Sequence, residues 1–339
     1  MRVGLVTHES SLLHDTGYGH PERPSRVEAA ARGVRGSGLE VVERTADRAD
    51  RDLVELVHQK AYVSGIQDFC ASGGGAIDPD TIASEDSWDA ALDSAGGSVT
   101  AAQMVEAGEC DFSFVAMRPP GHHALAARAM GFCFFNNVAI LARWLKLGGR
   151  RVAIVDWDVH HGNGTQDIFY EDPDVLYVSF HEHPQYPGTG RVDESGEGEG
   201  RGTIVNFPWP AGTAGPAYQW AAENVVAPVL AQFAPDWVIV SAGYDAHRSD
   251  PLASLALVED DYAALGSRFA AAVPDAKWTV VLEGGYDLDA IRGSAEATVR
   301  GLAGAHEFLN GPPVATLDDR TDSVGRAALA RVSKFWHLT

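Results

Sequence analysis

Residues 152–164 read VAIVDWDVHHGNG, and this stretch carries the strongest information about the fold. It begins with a continuous apolar run rich in β-branched residues, which is typical of a strand buried on both faces of a sheet. Two aspartates and two histidines follow within the same stretch. Ligands of open α/β sheets bind at the carboxyl ends of the strands, so we expect a functional site where this run ends.

Six other apolar runs are similar to this one, and helical patterns separate several of them. The runs are 3–6, 112–117, 175–180, 204–207, 237–241 and 279–282. Amphipathic or alanine-rich stretches predict helices over 25–35, 88–107, 217–234, 258–272 and 288–303. This alternation predicts an α/β domain with a mostly parallel sheet that helices cover.

No stretch has the length and composition of a linker between two domains. Residues 188–202 are rich in Gly and Glu, but they lie between two predicted strands and indicate a long surface loop. We therefore expect a single domain over residues 1–339, with a core at about 4–304 and a tail at 305–339 that packs on it. Within the tail, residues 327–336 predict a helix.

Polar side chains follow four of the predicted strands. His122 and His123 come after the strand at 112–117, Asp158 comes after the strand at 152–157, and Asp245 and Tyr286 follow the last two strands. The carboxyl ends of parallel strands meet at one edge of a sheet, so we expect these side chains to lie close together.

Asp158 and His160 form an alternating pair. If the strand remains extended there, both side chains point to the same side, and they offer the oxygen and nitrogen ligands that zinc accepts. Asp245 could supply a third ligand and leave one position open, as in catalytic zinc sites. An isolated Asp-x-His pair is more often a capping aspartate and a core histidine. The convergence of polar strand ends favours a metal site here.

His122 and His123 are adjacent, and a buried histidine needs a partner for its second ring nitrogen. Asp156 offers a carboxylate and Asn163 offers an amide. A histidine beside a carboxylate is more basic than one beside an amide, so the two could divide the work of proton transfer. A His-His pair taken alone is also compatible with a surface position or with core packing.

The chain is acidic. Its 339 residues include 26 Lys+Arg and 47 Asp+Glu, which gives a formal net charge of −21. Such a surface repels nucleic acid and anionic lipid and attracts cations, so we expect neither a nucleic-acid nor a membrane partner. Cationic substrates such as lysine-rich tails or polyamines fit this charge.

The sequence favours a soluble cytoplasmic protein. Its three cysteines have no regular spacing and argue against a disulfide framework. No apolar run approaches the roughly 20 residues that a membrane span needs. The amino terminus enters an apolar strand directly and has no pattern of a secretory signal.

Five motifs together resemble the histone deacetylase superfamily, which includes acetylpolyamine amidohydrolases and bacterial histone deacetylase-like amidohydrolases. They are RPPGHHA (118–124), GFCFFNN (131–137), DWDVHHGNGTQ (156–166), SAGYD (241–245) and LEGGYDL (282–288). Asn163 and the sequence HPERP at 20–24 are similar to the class II branch. The likeness runs from about residue 4 to about residue 304. It implies one arginase-like α/β domain with an eight-stranded parallel sheet and helices on both faces.

The resemblance also implies roles for the residues at the strand ends. Asp158, His160 and Asp245 match the ligands of one catalytic zinc ion per chain. His122 and His123 match the tandem histidines, with His123 as general base and then acid. In the same comparison, Asp156 and Asn163 match the hydrogen-bond partners of the two histidines, and Tyr286 matches the tyrosine that donates a hydrogen bond to the substrate carbonyl.

A substrate tunnel and a potassium ion are implied in the same way. Gly131, Phe132 and Tyr186 match the tunnel walls, although the family usually has Phe where this chain has Tyr186. Ser87 falls near a position where class II relatives contact substrate, but it also fits a helix N-cap. The potassium ligands of the family are mostly backbone oxygens, and their positions match Asp156, Asp158, His160, Ser179 and Phe180.

The leading hypothesis is a zinc-dependent amidohydrolase that removes acetyl or other short acyl groups from lysine side chains of proteins or peptides and releases acetate. Leu252 resembles the lysine deacetylases, since polyamine-selective class II relatives carry an acidic residue there. An acetylpolyamine deacetylase is the alternative, and a non-catalytic binder of acylated amines or a two-manganese ureohydrolase is less favoured. The sequence leaves open whether the protein forms a homo-oligomer.

Overall fold

The computed structural model describes residues 1–304 and 317–338. Its strands are β1 (Arg2–Thr7), β2 (Glu40–Thr45), β3 (Gly75–Ala76), β4 (Ile82–Ala83), β5 (Phe112–Val115), β6 (Val152–Asp156), β7 (Val175–Glu182), β8 (Ile204–Trp209), β9 (Trp237–Ala242) and β10 (Lys277–Leu282). Eight of them form one sheet in the order β2-β1-β5-β10-β9-β6-β7-β8, in which every neighbouring pair is parallel. β3 and β4 form a separate antiparallel pair. The predicted eight-stranded parallel sheet is confirmed.

The sheet is covered on both faces, which explains why its central strands are mostly apolar. In β6, Ala153 and Val155 pack into one hydrophobic core, and Val152 and Ile154 pack into the core on the opposite face. Alternate residues of a strand point to opposite faces, so a strand between two layers of helices carries apolar residues on both faces.

Helices fill both layers. They are α1 (Ser10–Leu13), α2 (Ser25–Gly36), α3 (Arg51–Val54), α4 (Lys60–Ala71), α5 (Ser87–Glu106), α6 (Asn137–Leu147), α7 (Asn163–Ile168), α8 (Gly215–Ala221), α9 (Ala227–Phe233), α10 (Glu259–Ala272), α11 (Leu288–Leu302) and α12 (Asp319–Val332). A π-helical turn, Ala222–Val226, joins α8 to α9. Side chains of α2 and α8 to α12 contribute to one core, and those of α5 and α6 contribute to the other.

The edge strand β2 was not predicted as a strand. Its sequence, EVVERT, is half-buried to exposed along its length. One neighbour, β1, pairs with it, and the exposed side chain of Glu43 forms an ion pair with Arg35 at 2.9 Å. An edge strand with charged residues has no continuous apolar run, so the pattern that identified the buried strands does not apply to it.

The tail helix lies earlier in the chain than predicted. α12 begins after Asp318, whose carboxylate accepts hydrogen bonds from the backbone N–H groups of Arg320 and Thr321, and it ends at Val332. Residues 305–316 and 339 of the predicted tail lie outside the described residues. No helix in the described part of the chain is long and apolar enough to cross a membrane.

Candidate active site

A cavity of about 190 Å³ opens at the carboxyl edge of the sheet. The loops after β5, β6, β9 and β10 all contribute to it, as the strand-end argument predicts. Most of the residues singled out from the sequence line it: His122, His123, Gly131, Phe132, Asp158, His160, Tyr186, Leu252 and Tyr286, together with Asp80, Pro120 and Gly284.

Asp158, His160 and Asp245 form a compact cluster whose potential ligand atoms lie within 4.8 Å of one another. His160 Nδ1 is 3.2 Å from Asp158 Oδ1 and 3.2 Å from Asp245 Oδ2. β6 ends at Asp156, so Asp158 and His160 lie in a loop and not on an extended strand. The carboxylate of Asp156 accepts the backbone N–H of Asp158, and this bond turns the chain there.

The surroundings of the cluster fit a small divalent cation. A Cβ at Gly243 would collide with the carboxylate of Asp158, and a Cβ at Gly284 would collide with both carboxylates of the cluster. Burial alone lowers the pKa of His160, but Asp158 and Asp245 raise it to about 10. The cluster therefore attracts positive charge, and a metal ion held by the three side chains would supply that charge.

His122 is the more basic of the two adjacent histidines. Its Nδ1 lies 3.0 Å from Asp156 Oδ2, and the Tyr177 hydroxyl donates to the same oxygen at 3.0 Å. Burial alone lowers the pKa of His122, but the nearby carboxylates of Asp156 and Asp158 raise it to about 10. His122 is therefore positively charged at neutral pH.

His123 has the opposite character. Its Nδ1 donates to Asn163 Oδ1 at 2.9 Å, so Nε2 is the nitrogen that can accept a proton. Burial and the positive charges of His122 and His160 lower the pKa of His123 well below 6.5. The two rings lie 4.0 Å apart, centre to centre, yet at neutral pH His122 is protonated on both ring nitrogens and His123 only on Nδ1.

Tyr286 stands in the same cavity with its side chain buried. Its backbone N–H donates to Asp250 at 2.6 Å, and the guanidinium of Arg26 lies 5.0 Å from the centre of its ring. Burial and the nearby Asp245 raise the pKa of its hydroxyl well above 10. The hydroxyl therefore keeps its proton and can donate a hydrogen bond.

Gly131, Phe132, Tyr186 and Leu252 line the cavity beside the histidines. Gly131 and Phe132 both have positive φ angles, +57° and +68°. A Cβ at Gly131 would collide with the ring of His123, so only glycine fits there. The ring of Tyr186 lies perpendicular to that of His123 at 5.1 Å, and Leu252 lines the cavity and is partly exposed to solvent.

The model of the histone deacetylase domain matches residues 20–302 of this chain. The chain belongs to the histone deacetylase family.

Relatives of this histone deacetylase family member include archaeal proteins. A probable deacetylase of Archaeoglobus fulgidus is 41% identical over 297 residues, which cover 85% of this chain and 82% of that protein. A probable deacetylase of Methanothermobacter thermautotrophicus is 41% identical over 304 residues, which cover 88% and 91%. The crystal structure of the HDA15 HD domain has a TM-score of 0.92 and 35% identity, and the match covers 99% of this chain and 97% of that one.

In this family member, the residues expected near a potassium ion lie together. Ser179 and Phe180 are on β7, and Ser179 is paired in register with Asp156 at the end of β6. The Ser179 hydroxyl lies 2.9 Å from His181 Nδ1. The potassium site stays a prediction.

Two positions differ from the sequence-based interpretation. Ser87 is the first residue of α5 and is fully buried, hydrogen-bonded to His14 at 2.6 Å and to the backbone N–H of Ser84, and it does not line the cavity. It is therefore neither a substrate contact nor the N-cap. Asp80, which the sequence did not single out, lines the cavity mouth. Its turn has no motif beyond two aspartates, so the sequence carried no signal for it.

Proposed function

We propose that this protein is a zinc-dependent deacetylase that removes acetyl or other short acyl groups from lysine side chains of proteins or peptides. Membership of the deacetylase family supports a hydrolase that acts on amides. The observation that carries the finer proposal is one cavity that joins the Asp158–His160–Asp245 cluster to a neutral histidine, a charged histidine and a protonated tyrosine.

The residues of the cavity divide the reaction among them. Asp158, His160 and Asp245 would hold the zinc ion, which would acidify a bound water and polarise the amide carbonyl. His123 Nε2 takes a proton from the water that attacks the amide carbon. As the carbonyl oxygen becomes negative, the Tyr286 hydroxyl donates a hydrogen bond to it.

The carbon–nitrogen bond then breaks, and the proton on His123 passes to the leaving amine. The products are acetate, or another short carboxylate, and a free amine. Because His122 keeps its positive charge throughout, it opposes protonation of His123 and stabilises the negative charge that develops in the cavity.

The cavity mouth carries two features that bear on the substrate. Leu252 offers an apolar wall, which supports a lysine side chain whose aliphatic stem passes along it. Asp80 places a carboxylate at the same mouth, and this favours a substrate with a second positive charge. An acetylpolyamine is therefore the second candidate.

Rates on an acetyl-lysine peptide, acetylputrescine and acetylspermidine should be compared with zinc-loaded protein. We expect the peptide to be preferred, and Tyr286→Phe to lower kcat on it by about 100-fold. Asp80→Asn should affect the polyamines more than the peptide. A preference for the polyamines would overturn the lysine assignment, and no turnover of any of them would overturn the deacetylase proposal for acetyl substrates.

We also propose, from the family resemblance, that a potassium ion binds near the carboxyl ends of β6 and β7, at Asp156, Asp158, His160, Ser179 and Phe180. Ion binding to the folded state alone stabilises it by mass action, so the melting temperature rises as the ion concentration exceeds its dissociation constant. Thermal unfolding in potassium chloride should therefore occur at a higher temperature than in sodium chloride of equal ionic strength. Equal melting temperatures would count against the site.

A further inference from the structure

Glu283 is a buried carboxylate that joins three strand ends. Its Oε2 accepts the backbone N–H groups of Gly121 at 2.7 Å and of His122 at 3.1 Å. Its Oε1 lies 3.1 Å from the hydroxyl of Ser241, at the end of β9. Glu283 itself follows β10, so one side chain connects the β9 and β10 ends to the loop that carries both histidines. Its side chain does not line the cavity.

Asp250 has the corresponding contact with the loop of Tyr286. Its Oδ2 accepts the backbone N–H of Tyr286 at 2.6 Å, and its Oδ1 accepts the backbone N–H of Leu252 at 3.0 Å. The Asp250 side chain is also absent from the cavity lining. Asp250 therefore connects the loop that carries Tyr286 to Leu252, which lines the cavity.

Both carboxylates bind the backbone of a residue whose side chain faces the cavity. A buried N–H group that loses its acceptor is costly, so each contact restricts the loop to the position in which the bond forms. We propose that Glu283 and Asp250 are positioning residues that set the places of His122 and Tyr286 around the substrate amide. This inference rests on the proposed deacetylase function.

The hydrogen-bond pattern predicts that replacing Glu283 by glutamine and replacing Asp250 by asparagine have different effects on the loops that they hold. At Glu283 one oxygen receives both N–H groups, and the other meets a hydroxyl that can donate or accept. A glutamine fits this pattern, with its amide oxygen toward the loop and its NH₂ toward Ser241. At Asp250 both oxygens receive backbone N–H groups, so an asparagine must place its NH₂ against one of them.

Kinetics of the zinc-loaded full chain on the acetyl-lysine peptide test this difference. We expect Glu283→Gln to keep kcat within about threefold and Glu283→Ala to lower it by about 100-fold with little change in KM. Asp250→Asn should lower kcat by about tenfold or more. Asp261→Asn is the matched control and should leave kcat unchanged, because Asp261, on α10, accepts the N–H of Val258 just before that helix and does not line the cavity.

Amide hydrogen exchange gives a readout that does not require turnover. Residues 118–124 should exchange about tenfold faster in Glu283→Ala and not in Glu283→Gln, and residues 284–288 should do so in Asp250→Asn. If the wild type does not hydrolyse the peptide, the proposed function fails while the exchange data still decide the positioning role. Equal kinetics for Glu283→Gln and Asp250→Asn, or unchanged exchange in Asp250→Asn, would overturn the inference even if Glu283→Ala does not fold.

Discussion

The different protonation of His122 and His123 comes from the charges that surround each ring. Both rings are buried, and burial alone lowers both pKa values. The carboxylates of Asp156 and Asp158 together outweigh burial for His122, whereas the amide of Asn163 accepts a hydrogen bond from His123 without contributing a negative charge. The structure therefore has the arrangement that proton transfer requires, with one ring fixed in charge and the other free to take a proton.

Replacing Asn163 by aspartate should raise the pKa of His123, because a negative charge beside Nδ1 favours the protonated ring. His123 must be neutral to take a proton, so the acid limb of the pH–rate profile should move to higher pH by about one to two units. Activity at acidic pH then falls more than activity at alkaline pH. The profile of kcat/KM measures this shift, and Asn163→Ala, which adds no charge, is the control. An acid limb at the same pH in Asn163→Asp would contradict the assignment of His123 as the base.

Activity should require glycine at position 131, because a larger residue would collide with a neighbouring ring. It adopts a positive φ, and a Cβ there would strike the ring of His123. Gly131→Ala should therefore lower kcat/KM by about 100-fold through displacement of that ring. Gly38 also has a positive φ, +80°, with nothing within 4 Å of its Cβ position, so Gly38→Ala carries the backbone strain without the collision. Kinetics of the two variants separate the effects, and equal losses of activity would refute the steric explanation.

A buried ion network joins the loop before α2 to the loop that carries Tyr286. Glu22 accepts hydrogen bonds from Arg118 Nε at 2.7 Å and from Arg26 Nη1 at 3.0 Å, and all three side chains are inaccessible to solvent. Arg26 also donates to the backbone carbonyls of Gly285 and Glu283. The network thus joins α2, the end of β5 and the loop of Tyr286, which are distant in the sequence.

This network should make the fold sensitive to acid. Burial alone raises the pKa of Glu22, but Arg118 and Arg26 lower it from 4.5 to about 2. At pH values above the pKa that Glu22 has in the unfolded chain, its lowered pKa stabilises the folded state by about 3 kcal/mol. This contribution is lost as the pH falls from about 4.5 to about 2. Glu22→Gln should lower the free energy of unfolding by about 3 to 5 kcal/mol near neutral pH.

Urea unfolding of the wild type and Glu22→Gln between about pH 7 and pH 3 measures this contribution, and the difference should shrink toward the acid end. Glu43→Gln is the control, because Glu43 forms a half-exposed ion pair with Arg35 and its loss should cost less than about 1 kcal/mol. A pH-independent difference for Glu22→Gln would show that the charge of Glu22 does not stabilise the fold.

The elements that could be predicted from the sequence are those whose surroundings impose a local pattern. β6 and the other buried strands are apolar at nearly every position because helices cover both faces. β2 was not predicted because it lies at the edge of the sheet and four of its six residues are exposed. The partners of Arg118 could not be inferred, because Glu22 lies 96 residues away and no local pattern marks the contact.

Local sequence patterns also decide which residues of the site could be predicted and which could not. Asp158, His160, Asp245, His122 and Tyr286 follow strands, and the geometry of a parallel sheet brings strand ends together. Asp80 lies on a turn outside the sheet, so its approach to the cavity depends on how the loops pack. Glu283 and Asp250 follow strands as well, but their backbone contacts become visible only in three dimensions.

The described part of the tail is attached to the domain by specific contacts. Trp336 packs against Phe233, and its indole N–H donates to the carbonyl of Gly202 at 2.8 Å. Arg331 donates to the hydroxyl of Ser195 at 2.6 Å. Ser195 and Gly202 both belong to the glycine-rich loop after β7, so the tail and this loop support each other.

We therefore predict that the chain unfolds as one cooperative unit that includes the tail. Trp336→Ala removes a partly buried ring and a hydrogen bond, and it should lower the free energy of unfolding by about 2 kcal/mol and shift the whole thermal transition downward by a few degrees. Calorimetry together with loss of activity on heating measures this shift. Leu147→Ala, at an exposed position on the other face, is the control and should change little. If Trp336→Ala instead produced a separate low-temperature transition and left the main one in place, the tail would not be part of the same folding unit, because a cooperative domain loses all of its contacts together.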